Sequence, residues 1–177
     1  TSVPTMPLPS PIPTTTPVPT TPITSPLPTT APTPVPTPAI VSDFESSFDA
    51  WTTSTFLRRS GSTPTSSTGP DSAHTNSYYA YAEATGNTLG GHFSMDRTFE
   101  HGVATISFED HMFGVAMCTA LLQGSDGGVA NYTTLWAKSG DQGAAWHSAS
   151  VSVETEGTQR LKFEYIATAF SDVADFA

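Results

Sequence analysis

From Ile40 onward, apolar and polar residues alternate in short runs. Ser77-Tyr78-Tyr79-Ala80-Tyr81-Ala82-Glu83, Val103-Ala104-Thr105-Ile106-Ser107-Phe108, Ala149-Ser150-Val151-Ser152-Val153-Glu154 and Arg160-Leu161-Lys162-Phe163-Glu164-Tyr165 all have period two. That is the repeat of a strand with one buried face. Met112 to Leu122 and Ala130 to Ala137 are further strand candidates, and Gly/Ser/Asp/Pro clusters at 61–70, 86–91, 124–128 and 139–143 separate the runs. No stretch sustains a helical period. Short strands at this spacing predict an all-β fold of antiparallel sheets packed as a sandwich, each solvated on one side.

The first forty residues obey none of this. Residues 1–42 hold 14 of the 16 prolines and no charged residue, aromatic or glycine. Each proline fixes its own φ and pushes the preceding residue towards extended geometry, which leaves polyproline II. At about 3.1 Å per residue such a tract would reach roughly 120 Å. The domains expected are therefore a stalk over 1–39 and a globular part over 40–177. Read from composition alone, the tract is either a disordered linker or a stiff rod coated with O-linked sugars. Candidate carriers are Thr5, Ser10, Thr14, Thr15, Thr16, Thr20, Thr21, Thr24, Ser25, Thr29, Thr30, Thr33 and Thr37. A ligand for proline-binding modules fits less well, because no basic residue precedes Arg58.

Charge narrows the function classes. Six basic against 16 acidic residues give a net charge of −10, so no basic stripe exists for a phosphate backbone and no nucleic-acid partner is expected. No apolar run is long enough to span a bilayer, so no membrane insertion is expected. With neither an initiating Met nor a leader, the chain reads as a processed or partial product. The lone Cys118 argues against a disulfide scaffold.

The order of the landmarks carries a resemblance. Val41-Ser42-Asp43-Phe44-Glu45 with Phe48 and Trp51 resembles the opening of a MAM domain, the module of meprins, neuropilin-type receptors and mu-type receptor phosphatases. In family order follow Arg59-Ser60-Gly61-Ser62-Thr63-Pro64, Thr68-Gly69-Pro70-Asp71-Ser72-Ala73-His74-Thr75 and Ser77-Tyr78-Tyr79-Ala80-Tyr81. Ile106-Ser107-Phe108, His111-Met112-Phe113-Gly114, Leu135-Trp136-Ala137-Lys138-Ser139-Gly140-Asp141-Gln142-Gly143 with Trp146, and Phe163-Glu164-Tyr165 with a closing Ser171-Asp172-Val173-Ala174-Asp175 complete the series. The resemblance covers 41–177 and implies a jelly-roll-like sandwich of two antiparallel sheets that mediates adhesion or assembly and catalyses nothing. Its departures are specific. The family's disulfide-forming cysteines are missing, Phe56-Leu57 runs directly into Arg58-Arg59, and Met117 to Leu122 is a residue or two short. A shortened strand would turn every later side chain to the other face. The Pro/Thr tract in turn resembles the hydroxyproline-rich segments of algal and plant extracellular-matrix glycoproteins.

Among candidate sites, Asp43 and Glu45 are expected on an opening strand, Asp71 in the Gly-Pro loop, and Asp172 and Asp175 at the close of the domain. Brought together at paired termini, such carboxylates could hold a structural Ca²⁺ or Na⁺; scattered, they are a solvated rim. No other cofactor is expected. The five histidines show no zinc spacing, and His74 and His111 read as hydrogen-bonded structural residues. Phe44, Trp51, Trp136, Trp146 and Phe163 are core candidates, and Tyr78, Tyr79 and Tyr81 could alternatively form a sugar-stacking platform. Asn131-Tyr132-Thr133 is an N-glycosylation sequon. No nucleophile elbow or phosphate loop is present, so no enzyme is expected.

The expected function is a non-catalytic extracellular or cell-surface assembly protein: an adhesion module on a glycosylated rod that self-associates into a filament or coat. Its expected partners are covalent glycans and either copies of itself in heterologous contact or other matrix proteins. The alternatives are the ectodomain of a receptor or adhesin and the accessory module of a secreted hydrolase.

Overall fold

The computed structural model describes residues 10–11, 39–86, 91–127, 131–155, 157–167 and 175–176. The chain divides into two units, Thr1–Pro38 and Ala39–Ala177. Every candidate O-glycosylation residue except the exposed Ser10 lies outside the described residues, as does the expected polyproline II geometry.

The second unit is all-β. Its strands are β1 (Thr52–Thr53), β2 (Phe56–Ser60), β3 (Tyr78–Glu83), β4 (Gly91–Phe99), β5 (Val103–Asp110), β6 (Met112–Phe113), β7 (Thr119–Asp126), β8 (Thr133–Ser139), β9 (His147–Thr155), β10 (Gln159–Ala167) and β11 (Asp175–Phe176). They form a five-stranded sheet β1-β4-β10-β7-β8, a four-stranded sheet β2-β3-β11-β6 and a β5-β9 pair. Every pairing is antiparallel. β5 runs through His111 into β6, so the two smaller sheets are consecutive along the chain and share one core with the large sheet.

β10 organises that core. It pairs over its whole length with β4, and from Gln159 to Ile166 with β7. Its alternation sends Leu161, Phe163, Tyr165 and Ala167 into the interior, while Arg160, Lys162 and Ile166 are only half-buried on the other face. Trp51 meets Phe163 at 5.5 Å between ring centroids. Phe108 of β5 stands edge-on to Phe163 at 4.9 Å and to Trp136 of β8 at 5.1 Å, which joins the β5-β9 pair to the large sheet. Aromatic edge contacts at these separations add about 0.5–1.5 kcal/mol each beyond the area they bury.

Two expectations need correction, and the shortened strand is accommodated. Met112 to Leu122 is not one strand. It leaves the four-stranded sheet after Phe113, turns where the Met117 amide donates to the Gly114 carbonyl, and enters the five-stranded sheet at Thr119. Gly114 has φ +136°, and a Cβ there would stand 2.8 Å from Thr68 Oγ1; the apolar text is a crossover between layers. The Gly124 turn signal also fails, because β7 runs on to Asp126. Gly124 is a strand residue at a site where Gln159 Nε2 and Leu135 Cδ1 would each be 2.8 Å from a Cβ. Finally, the short spacing before Leu122 does not invert the strand, since Ala120 and Leu122 are both 0 % exposed. A bulge next to them pairs Leu122 with Trp136 and Gln123 with Thr134, so Leu135 and Trp136, though adjacent, both pack on the core.

Leu161→Ala should cost about 2–5 kcal/mol in equilibrium urea unfolding, because a fully buried side chain is removed from the centre of both strand ladders. A loss under about 1 kcal/mol would mean that β10 is not central to the core.

Candidate functional site

The site grows out of β3. Its alanines Ala80 and Ala82 face the main core, yet Tyr79 and Tyr81 on the opposite face are also buried, at 5 % and 4 % exposure. Ala73 and Trp146 cover them, with Trp146 6.0 Å edge-on to Tyr79 and 5.3 Å from the His111 ring. The tyrosines therefore form no exposed sugar platform, and Tyr78 is capped by the Arg58 guanidinium 3.5 Å above its ring. Trp146 belongs to this outer cluster instead of the main core.

The loop over 61–72 is fastened around the same cluster. Tyr79 OH donates to the Gly61 carbonyl at 2.8 Å, and Trp146 Nε1 donates to the Ser72 carbonyl at 3.1 Å. Thr63 closes the loop on itself, its amide donating to Pro70 O and its hydroxyl to Thr68 O at 2.6 Å. The Phe113 carbonyl accepts from both the Gly69 amide and the Thr68 hydroxyl. Between this loop, His111, Phe113, Ala144 and Trp146 lies a cleft of about 490 Å³. Volumes of this order suit a small ligand.

His111 lies in the cleft wall at 2 % exposure, and its Nδ1 is buried without a hydrogen-bond partner. Burial, with His147 as a second cause, holds its pKa below the ordinary value against the raising influence of Asp110 and Asp71. The imidazole is thus neutral in the folded state at neutral pH. Beside it, Asp110 is fully buried and receives both its bonds from Lys138 Nζ, at 2.8 and 2.7 Å. Asp110 ends β5 and Lys138 is on β8, so this ion pair clamps the two layers together. The expectation of a hydrogen-bonded structural His111 fails at its Nδ1, and the clamp carries no sequence signal: the period-two pattern ends before Asp110, and the acidic pair Glu109-Asp110 ahead of a histidine is no motif.

The predicted acidic residues are placed separately. The Glu45 carboxylate accepts the amides of Ser77 and Tyr78 at 2.9 and 2.7 Å. Asp43 is exposed and accepts the Glu45 amide at 3.0 Å. Asp71 stands exposed on the cleft rim. Among the described residues no three His, Cys, Asp or Glu gather where a metal ion could sit. Asp172 lies outside the described residues, and of Asp175 only the backbone, in β11, is described. Asn131 is exposed just before β8, and the neighbouring Tyr132 ring lies 4.6 Å under Lys162 Nζ. No helix among the described residues is long and apolar enough to cross a membrane.

Fold and site together define an antiparallel β-sandwich with a covered outer strand and a hydroxyl-rich cleft. No family model matches the chain. It is 32 % identical over 117 residues to thyroid hormone-induced protein B of Xenopus laevis, across 62 % of this chain and 17 % of that protein. It is 30 % identical over 130 residues to MAM domain-containing protein 2 of Homo sapiens, across 68 % of this chain and 19 % of that protein. The chain thus spans less than a fifth of the length of either relative. A solved structure, the cleaved adhesin domain of Lys-gingipain, superposes with a TM-score of 0.54 at 16 % identity, covering 72 % of this chain and 86 % of that one. The sequence similarities support a MAM-like domain, and the structural likeness supports the sandwich fold.

Two outcomes follow. Lys138→Met leaves the Asp110 carboxylate buried and uncompensated and should cost about 3–5 kcal/mol by chemical denaturation, much of it recovered in the Asp110→Asn/Lys138→Met double variant. For His111, the unfolded chain takes up a proton near the ordinary histidine pKa and the folded chain only at lower pH. Stability should therefore be full above about pH 7 and fall as pH drops through about 6.5 and below. Thermal melts from pH 8 to 5 should show this slope and show it flattened in His111→Gln; equal slopes in the two proteins would refute the assignment.

Proposed function

We propose that the chain is a non-catalytic extracellular adhesion module carried on a glycosylated polyproline rod, and that it self-associates into a filament or surface coat. The observation that carries the reading is the similarity to MAM domain-containing protein 2 over 130 residues, together with the family-order motifs spread from Val41 to Tyr165. A module of this class works by surface contact, and the sandwich offers surfaces suited to it. β2 is an edge strand of its sheet and presents Leu57 at 47 % exposure. Val115, on the crossover loop, is 94 % exposed. An edge or loop that meets a different surface on the next copy makes a contact that propagates. An uncharged stalk adds no repulsion to such packing. Asn131, exposed ahead of β8, is the proposed N-glycan site, and the threonines and serines of the stalk are the proposed O-glycan sites.

The second reading, one module within a longer cell-surface protein, is favoured by the length of the relatives. A membrane anchor encoded in the same gene would decide for it.

The test uses the chain purified from its native source. Intact mass should fall in many saccharide steps on chemical deglycosylation and by a single glycan on peptide-N-glycosidase treatment. Negative-stain microscopy and sedimentation velocity should show concentration-dependent linear assemblies. An unmodified mass with a monodisperse particle at high concentration would overturn the reading.

A further inference from the structure

The geometry points to the cleft beside Trp146 as a binding site for a neutral saccharide. This goes beyond adhesion in general, since it assigns the cleft a ligand class.

The hydroxyls of the loop divide into two sets by what they do. The threonines are structural: Thr63 and Thr68 are buried and bonded to backbone carbonyls, and Thr65 donates to Thr85 Oγ1 at 3.0 Å. The serines are not. Ser62, Ser66, Ser67 and Ser72 are exposed, and among the described residues no hydrogen bond engages their side chains or the Asp71 carboxylate. A frame held by six bonds to fixed backbone and ring groups thus presents a row of unspent donors and acceptors around one cavity. Such preorganisation lowers the ordering cost of binding.

The walls complete the pattern. The half-buried Trp146 ring is braced by Tyr79, His111 and His74 and supplies an apolar wall. Asp71 is an acceptor that can take two neighbouring hydroxyls at once, and its charge is felt at the His111 ring. His111, 2 % exposed, forms part of the floor beneath these walls. A ligand that satisfies all of these has an apolar CH face for the indole and several hydroxyls at its rim, which is the chemistry of a sugar ring. An anionic ligand is disfavoured by Asp71 and by the net charge of −10. The sugar can come from the stalk of a neighbouring copy or from a foreign glycan.

The test is an NMR titration of the isotope-labelled full chain, reading the Trp146 indole N–H, with D-galactose, L-arabinose, D-mannose, D-glucuronate and the O-glycans released from native material. Saturable shifts confined to Trp146 and residues 62–72 are expected with at least one neutral sugar and weaker ones with glucuronate. Asp71→Asn, at an exposed side chain whose loss leaves the fold intact, should bind roughly tenfold more weakly with an unchanged melting temperature. Tighter binding of the released glycans than of any monosaccharide assigns the neighbouring stalk as source, and the reverse assigns a foreign glycan. Absence of a saturable shift with every probe, glucuronate binding as tightly as the neutral sugars, or shifts unaffected by Asp71→Asn would overturn the proposal.

Discussion

The structure depends on one strand being buried twice. β3 presents alanines to the main core and tyrosines to the outside of a thin sheet. Two exposed tyrosine rings on a four-stranded sheet would leave a large apolar surface in water, at about 25 cal/mol per Å². The chain covers them with Trp146 and with the loop that begins at Gly61. That cover fixes the remaining geometry. The loop must bend back through Thr63 and Pro70, Gly69 and Thr68 must reach the Phe113 carbonyl, and His111 must lie under the indole. The cleft is what remains between a lid held by bonds and the cluster it protects, so the same requirement that stabilises the small sheet creates its concave surface.

Much of this was legible in the text of the chain, and where it was not the reason is physical. β5, β9 and β10 alternate because one of their faces is wet or only lightly covered, and alternation is visible at the level of residues. β3 alternates in a different sense, between alanine and tyrosine, and that pattern does not say that both faces are dry. β2 and β4 carry too many polar residues for a periodicity: Arg58 and Arg59 bond to the carbonyls of Phe44, Glu45 and Ser62, and Asp96 is held by Arg160 at 2.8 Å. Arg58 and Asp96 are satisfied by partners distant in sequence, which no local pattern can show. The Asp110–Lys138 clamp was missed for the same reason. The cleft could be suspected from loop composition, since Ser62 to Ser72 is rich in hydroxyls, but not the division between bonded threonines and free serines.

The missing disulfides pose the last problem. The resemblance implies a module usually stapled by cysteines, and this chain holds its opening segment without them. Glu45 caps the amides at the start of β3. Arg58 reaches back to the Phe44 and Glu45 carbonyls while stacking on Tyr78, and Trp51 Nε1 donates to Ser42 Oγ at 3.1 Å. Each tie is a hydrogen bond at or near the surface, contributing on the order of 1 kcal/mol, or somewhat more where a charge is involved, whereas a disulfide typically contributes about 2–4 kcal/mol. The two kinds of tie also differ in mechanism. A disulfide acts chiefly on the unfolded chain, but these contacts exist only in the folded one, where Glu45 ties the opening segment to β3 and Arg58 ties it to β2. The opening segment is therefore coupled to the small sheet, and the small sheet, through the β5–β8 ion pair and the aromatic contacts of Phe108, to the large one. Here the opening segment, the small sheet and the large sheet are joined by a chain of non-covalent contacts that runs from Glu45 and Arg58 to Asp110, Lys138 and Phe108.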